Sequence, residues 1–237
     1  MTRVAVIGAS GRMGTAVCSA VEGEDDLDLV ARIGSSDSLE RVLDAGADVA
    51  VEFTTPSSVR SNTAWLLKRG VHVVVGATGL DEGDLEELRS LTGPANALVA
   101  PNFAIGAVLL MELAQRVAGH LPHVEITELH HDRKVDAPSG TALRTARLVA
   151  AAREEAVSVP GPADHPARGL VVDGIPIHSV RLPGLVASQE VVFGGLGQTL
   201  TIRHDSIDRS SFLPGVLLAV RRIAALPGLT VGLEHLL

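Results

Sequence analysis

The sequence predicts an α/β fold: a doubly wound parallel sheet, then a second α+β unit with an open mixed or antiparallel sheet. Three observations predict it. Short, continuous apolar runs alternate with helical patterns over the first hundred residues, and several of these runs stop at glycine. After Asn102 the strand candidates alternate apolar and polar residues and are joined by glycine turns. An apolar helix then closes the chain.

Taken in order, Arg3–Gly8 reads as a strand buried on both faces. Gly11–Glu22 reads as a helix with Met13, Val17 and Val21 along one side. Strands are expected at Leu27–Ile33, Asp48–Phe53, Val71–Gly76 and Ala97–Ala100, with helices at Pro56–Arg69 and Leu80–Leu91. Beyond the boundary come a helix at Ile105–Ala118, a strand at Val124–Leu129 and a helix from Gly140 to about Glu155. A Pro- and Gly-rich stretch (Pro160–Gly174) follows. The segments Ile177–Leu182, Ser188–Phe193 and Gln198–His204 read as antiparallel strands, and Phe212–Leu226 as the closing helix. The expected division is 1–102 with 212–237, a dinucleotide-binding domain, against 103–211, a substrate-binding and oligomerisation domain.

Composition narrows the function. The 237 residues are 46% hydrophobic but hold four Phe, one Trp and no Tyr, so Val, Leu, Ile and Ala must build the core. A formal charge of -8 argues against nucleic acid as a partner, since phosphates are bound by clustered Lys and Arg. No apolar run approaches the roughly 20 residues of a bilayer span, and Met1-Thr2-Arg3 lacks a signal-peptide layout. With a single cysteine, Cys18, internal disulfides and thiolate metal clusters are excluded. The expectation is a cytoplasmic protein without membrane association or bound metal.

The first chemical motif is Gly8-Ala9-Ser10-Gly11-Arg12-Met13-Gly14, between the first strand and the first helix. Gly8 allows the tight turn, Gly11 lets backbone approach a pyrophosphate, and Gly14 lets helix and strand pack closely. Exposed N–H groups and the helix dipole favour phosphate there, as in a Rossmann-type site. A ligand-free glycine turn is the plain alternative; position at the start of a parallel sheet favours the dinucleotide. An NAD-specific site places an acid about 20 residues onward. Gly34 stands there instead, and the nearest acid, Asp37, comes later. With no carboxylate expected to repel a 2′-phosphate, and Arg12 or Arg32 available to receive one, the expected cofactor is NADH and/or NADPH. Loops after the fourth and fifth strands should also reach it: Gly76, Ala77 and Thr78, and Ala100, Pro101, Asn102 and Phe103.

The second motif runs from Glu128 to Ala142: Glu-Leu-His-His-Asp-Arg-Lys-Val-Asp-Ala-Pro-Ser-Gly-Thr-Ala. Histidine suits proton delivery near neutral pH, and Lys134 can hold an anion as a point charge. Gly140 and Thr141 would offer N–H groups to a carboxylate at a helix start. A solvated histidine turn, with Asp136 or Ser139 as a simple helix cap, is the competing explanation. Zinc is a poor fit, because adjacent histidines rarely chelate one ion.

This segment resembles the signature of the dihydrodipicolinate reductase family, E-x-H-H-x-x-K-x-D-A-P-S-G-T-A, at every fixed position. The resemblance extends to the glycine loop, Glu52–Pro56, Gly76–Gly79, Ala100–Gly106, Arg203–Ser206 and Arg209–Phe212, and is nearest the shorter actinobacterial type. It implies hydride transfer from NAD(P)H to C4 of a cyclic conjugated imine, then protonation of the enamine at C3. It implies reduction of the dihydrodipicolinate (4-hydroxy-tetrahydrodipicolinate) ring to tetrahydrodipicolinate, in the diaminopimelate route of lysine biosynthesis. The matching positions make His130 the proton donor and Lys134 its catalytic partner and substrate anchor. His131, Gly140 and Thr141 would bind a carboxylate of the small dicarboxylate heterocyclic substrate. A return of the last helix to the nucleotide domain, and a homotetramer paired through the antiparallel sheet, are also implied. Two rivals stand beside this: a semialdehyde or homoserine dehydrogenase, and a non-catalytic redox sensor. The semialdehyde type needs a nucleophilic cysteine, and Cys18 falls in the first helix.

Overall fold

A computed structural model describes residues 1–153, 161 and 165–237. The chain divides into two units: Met1–Ile105 with Arg209–Leu237, and Gly106–Asp208. The end of the helix expected to reach Glu155, and the start of the Pro- and Gly-rich stretch, lie outside the described residues.

The first unit is a six-stranded, wholly parallel sheet. Its elements run β1 (Thr2–Ile7), α1 (Arg12–Glu22), β2 (Leu27–Ile33), α2 (Glu40–Asp44), β3 (Val49–Glu52), α3 (Val59–Leu67), β4 (His72–Val75), α4 (Glu82–Leu91) and β5 (Ala97–Val99). From the C-terminal segment come α7 (Leu213–Arg222) and β11 (Leu229–Val231). The strand order is β11-β5-β4-β3-β1-β2. Strand order reverses between β1 and β3, so the crevice at their carboxyl ends is where doubly wound sheets take ligands. Continuous Val and Ala runs make these strands because both faces are covered: Val4, Ala5, Val6, Val73, Val74 and Val75 are fully buried. The apolar layer on one face joins β1, β3 and β4 to Leu66, Leu67 and Leu88 from α3 and α4. At the far edge, Asn96 Nδ2 donates to Ile223 O (3.1 Å) and Ala224 O (3.2 Å), fixing the end of the chain to the sheet.

The second unit holds α5 (Ile105–Ala118), β6 (His123–His130), α6 (Gly140–Ala152), β7 (Leu170–Val172), β8 (Ile175–Arg181), β9 (Ala187–Gly195) and β10 (Gln198–Ser206). Its sheet order is β10-β9-β6-β8-β7. The sheet is mixed, as expected, but the reading of Ile177–Leu182 as one of three antiparallel strands needs correcting. β8 pairs parallel with β6, and β6 separates β8 from β9. The reason lies in the connection: β6 leads into α6, a crossover that permits a parallel neighbour, whereas β9 and β10 follow one another through a tight turn at Leu196-Gly197.

The closing helix is also shorter than the expected Phe212–Leu226. A 3-10 turn (Arg209–Phe212) precedes α7 and another (Ile223–Ala225) follows it. No helix among the described residues is long and apolar enough to cross a membrane.

Candidate active site

In the first unit the loop after β1 is shaped by its glycines. Gly8 has φ +80°, a region that favours glycine, and a Cβ there would lie 2.6 Å from Phe53 O. A Cβ on Gly14 would fall 2.1 Å from Gly8 O, so α1 sits directly against the loop because Gly14 has no side chain. Gly11 is the N-cap of α1 in extended geometry, with no side-chain cap and no acid in the first turn. The first N–H groups of that helix, from Arg12 and Met13 onward, have no acceptor within it. Ser10, Gly11 and Arg12 are exposed, and Ala9 and Met13 half-buried. Here backbone donors and a helix dipole are presented to solvent, an arrangement that fits a pyrophosphate.

The other loops at the carboxyl ends of the sheet lie beside it. Gly76 and Ala77 donate their N–H groups to Glu52 O (3.0 and 3.2 Å). A side chain on Gly76 would strike the Phe53 ring at 2.2 Å, so that glycine makes room for the tilted Phe53–Phe103 ring pair. Thr78 and Pro101 are exposed, Asn102 is half-buried, and Ala100 and Phe103 are buried. Beneath them the buried carboxylate of Glu52 accepts from Thr54 N (3.0 Å) and Asn62 Nδ2 (3.0 Å), which pins the loop after β3. Residue patterns alone did not single out this support.

At the end of β2 the structure corrects the sequence reading. Asp37 folds back so that its Oδ2 accepts from Gly34 N at 2.8 Å, and Arg41 pairs with Oδ1. A carboxylate therefore does stand at the end of β2, carried there by the turn that Gly34 opens. The Gly34 N–H holds its pKa below the usual range, against an opposing effect of burial. Arg32, offered as a phosphate ligand, is instead paired with Glu22. Cys18 is buried, and burial pushes its thiol pKa up, the opposite of what an activated nucleophile needs.

In the second unit, His130 ends β6. Period-two alternation puts Glu128 on the same strand face, and Nδ1 of His130 lies 2.5 Å from Glu128 Oε2. Across the parallel pair, Arg181 stands opposite His130 and donates from Nη1 and Nη2 to the two oxygens of Glu128, at 2.9 and 2.7 Å. Ser139 N adds a longer bond to Oε1 (3.3 Å). Glu128 is fully buried, His130 is 15% exposed. Burial pushes the Glu128 carboxyl up, but hydrogen bonds from His130, Arg181 and Ser179 outweigh it and hold the pKa down to about 2. Glu128 was visible in the signature without a role, and Arg181 was missed.

Lys134 Nζ donates to both oxygens of Asp136 (2.7 and 2.8 Å), and this pairing lowers the Asp136 pKa. Asp136 is thus an exposed partner of Lys134 rather than a helix cap, the role that belongs to Ser139, whose Oγ accepts from Ala142 N at 3.2 Å. Nδ1 of His131 is buried with no hydrogen-bond partner among the described residues. At Gly140, the first residue of α6, a Cβ would meet nothing within 4 Å, and Thr141 follows it. An imidazole on a buried carboxylate, an ammonium, and an open helix start with N–H donors converge within one β–loop–α segment. This set suits proton delivery to an anionic substrate. Among the described residues, no group of three His, Cys, Asp or Glu is placed to hold a metal ion.

Comparison with known proteins agrees with both halves. The family model for dihydrodipicolinate reductase, N-terminus, matches residues 2–103, and that for dihydrodipicolinate reductase, C-terminus, matches 106–237. The 4-hydroxy-tetrahydrodipicolinate reductases of Streptomyces griseus and Nocardia farcinica are each 54% identical over 99% of this chain and 97% and 98% of their own length. Dipicolinate-bound dihydrodipicolinate reductase from Paenisporosarcina sp. TG-14 superposes with a TM-score of 0.91 and 38% identity, over 100% of each chain. GenD2 from gentamicin A biosynthesis, solved in complex with NAD, shares the fold at a TM-score of 0.64 and 14% identity, covering 99% of this chain and 90% of that one. The chain belongs to the dihydrodipicolinate reductase family.

Proposed function

We propose that this chain reduces the dihydrodipicolinate (4-hydroxy-tetrahydrodipicolinate) ring to tetrahydrodipicolinate with NAD(P)H, in the diaminopimelate route of lysine biosynthesis. The observation that carries the reading is the pairing of His130 with a buried carboxylate, in a segment that also bears Lys134 and the open start of α6. In this reading 1–102 with 212–237 bind the dinucleotide and 103–211 bind substrate.

When bound, the cofactor would supply a hydride to C4 of the conjugated ring, which the 4-hydroxy form becomes by losing water. The chain's residues do the rest. The Gly8–Met13 loop holds the pyrophosphate on backbone N–H groups, and Gly76–Thr78 with Ala100–Phe103 line the same sheet edge. Lys134 exchanges Asp136 for a substrate carboxylate, a swap made easier because Asp136 is 60% exposed. Nδ1 of His131 and the N–H groups of Gly140 and Thr141 take a carboxylate. His130 then delivers a proton from Nε2 to C3, and the enamine electron pair forms the new C–H bond as Nε2–H breaks.

Cofactor choice follows from Asp37. Its carboxylate accepts ribose hydroxyls of NADH, while Arg41 and the exposed Arg12 can meet a 2′-phosphate, so both cofactors are used. The protein works as a cytoplasmic homotetramer, as the family resemblance implies; light scattering should return four times the 24.6 kDa chain mass. Steady-state oxidation of NADH and of NADPH with the dihydrodipicolinate precursor tests the reading. Turnover with either supports it, and no oxidation with either refutes it.

A further inference from the structure

We propose that Glu128 is the positioning residue of the proton-transfer step: accepting from Nδ1 of His130, it fixes Nε2 as the proton-donating atom and stabilises the imidazolium until C3 is protonated. This rests on the role given to His130 above.

Donors converge on one fully buried carboxylate from three directions: His130 Nδ1 on its own strand, both terminal nitrogens of Arg181 with Ser179 on β8, and Ser139 N before α6. An ion in that position is too costly to keep for packing alone; it persists because its oxygens are matched by donors. With both oxygens already accepting from Arg181 and one from Ser139 N, the carboxylate is set up as an acceptor, so the proton between the two groups belongs to Nδ1. That leaves Nε2 as acceptor in the neutral ring and donor in the cation. After transfer, the ring keeps its Nδ1–H on Glu128 and regains the Nε2 proton from solvent.

Arg181 has the opposite electrostatic effect. Its guanidinium neutralises part of the Glu128 charge, and Nη2 also donates to Asp136 O (2.7 Å), tying the network to the loop that bears Lys134. Ser139 N ties it to the start of α6. One buried ion therefore links the acid, the ammonium loop and the carboxylate-binding helix start. The other charged or titratable groups on these elements, among the described residues, are His123 and Glu125 on β6, His131, Asp132, Arg133, Lys134 and Asp136 on the loop, Arg144 and Arg147 on α6, His178 on β8 and Glu190 on β9. β9 sets neutral Ala187 and Gln189 opposite His130 and Glu128.

The test follows the His130 ring by NMR on 15N-histidine-labelled full-length protein, its signals identified by their loss in His130→Asn. In the wild type the neutral ring should be the Nδ1–H tautomer. Glu128→Gln should lower the His130 titration midpoint by about one unit or more, and move the basic limb of kcat/KM down with it. Arg181→Gln should move the midpoint up. If Glu128→Gln does not fold, Glu128→Asp should give a smaller downward shift while keeping most of the turnover. A structural prop would show uniform loss across pH with an unmoved midpoint. That result, or shifts of the same sign in Glu128→Gln and Arg181→Gln, overturns the proposal. The NMR arm needs no turnover, so a shifted midpoint in a protein that fails to reduce the ring would refute the proposed function and leave the network standing.

Discussion

The two units present groups suited to anions in different ways. In the first, the loop after β1 offers backbone alone: glycines at 8, 11 and 14 remove side chains and leave N–H groups and a helix dipole open to solvent. In the second, charged side chains are already paired within the protein, His130 and Arg181 on Glu128 and Lys134 on Asp136, beside the backbone donors at the start of α6. A backbone site depends on space, so it fails when atoms are added. A side-chain site depends on charge, so it fails when a partner is removed or protonated. The lesson is that similar substitutions should have different consequences in the two regions.

The largest effect should come from the charged region. His130→Ala should cut kcat by about a hundredfold or more while leaving NADH affinity, measured by fluorescence titration, unchanged. A variant with full turnover would remove His130 from the chemistry.

Acid should strike the same region next. The Glu128 pKa is about 2 in the fold, well below its ordinary value of 4.5, so its stabilising effect is complete above about pH 4.5 and is lost as pH falls toward 2. Unfolding followed between pH 6 and 2 should show this fall, and Glu128→Gln should flatten it.

Two glycine substitutions then set the regions against each other. Gly14→Ala would place a methyl 2.1 Å from Gly8 O and should destabilise the fold by about 1–3 kcal/mol and weaken cofactor binding. Gly140→Ala meets open space, so the melting temperature should hold while KM for the ring substrate rises about tenfold. Equal behaviour of the two would erase the distinction between the sites. The smallest change should follow Asp37→Ala, which removes an acceptor at the end of β2 and should raise KM for NADH about three- to tenfold, with less effect on NADPH.

The legibility of these features in the sequence follows the same divide. The glycine loop and the strands of the parallel sheet were readable because glycine spacing and unbroken Val and Ala runs are local signals. So was the acid cluster, since its residues lie within one fifteen-residue segment. What escaped was short or remote. α2 has five residues, and β7 and β11 three each, too few to show a period. Arg181 meets Glu128 across 53 positions, through a parallel pairing that no local pattern announces. Asp37 was misjudged because counting along the chain ignores a turn that carries the carboxylate back to Gly34.

The most direct test of the central claim is the fate of the label when NAD(P)H carrying deuterium at both C4 positions of the nicotinamide is turned over with the dihydrodipicolinate precursor. The account predicts one deuterium at ring C4 of tetrahydrodipicolinate and solvent hydrogen at C3. Product without deuterium at C4, or no product, would contradict it.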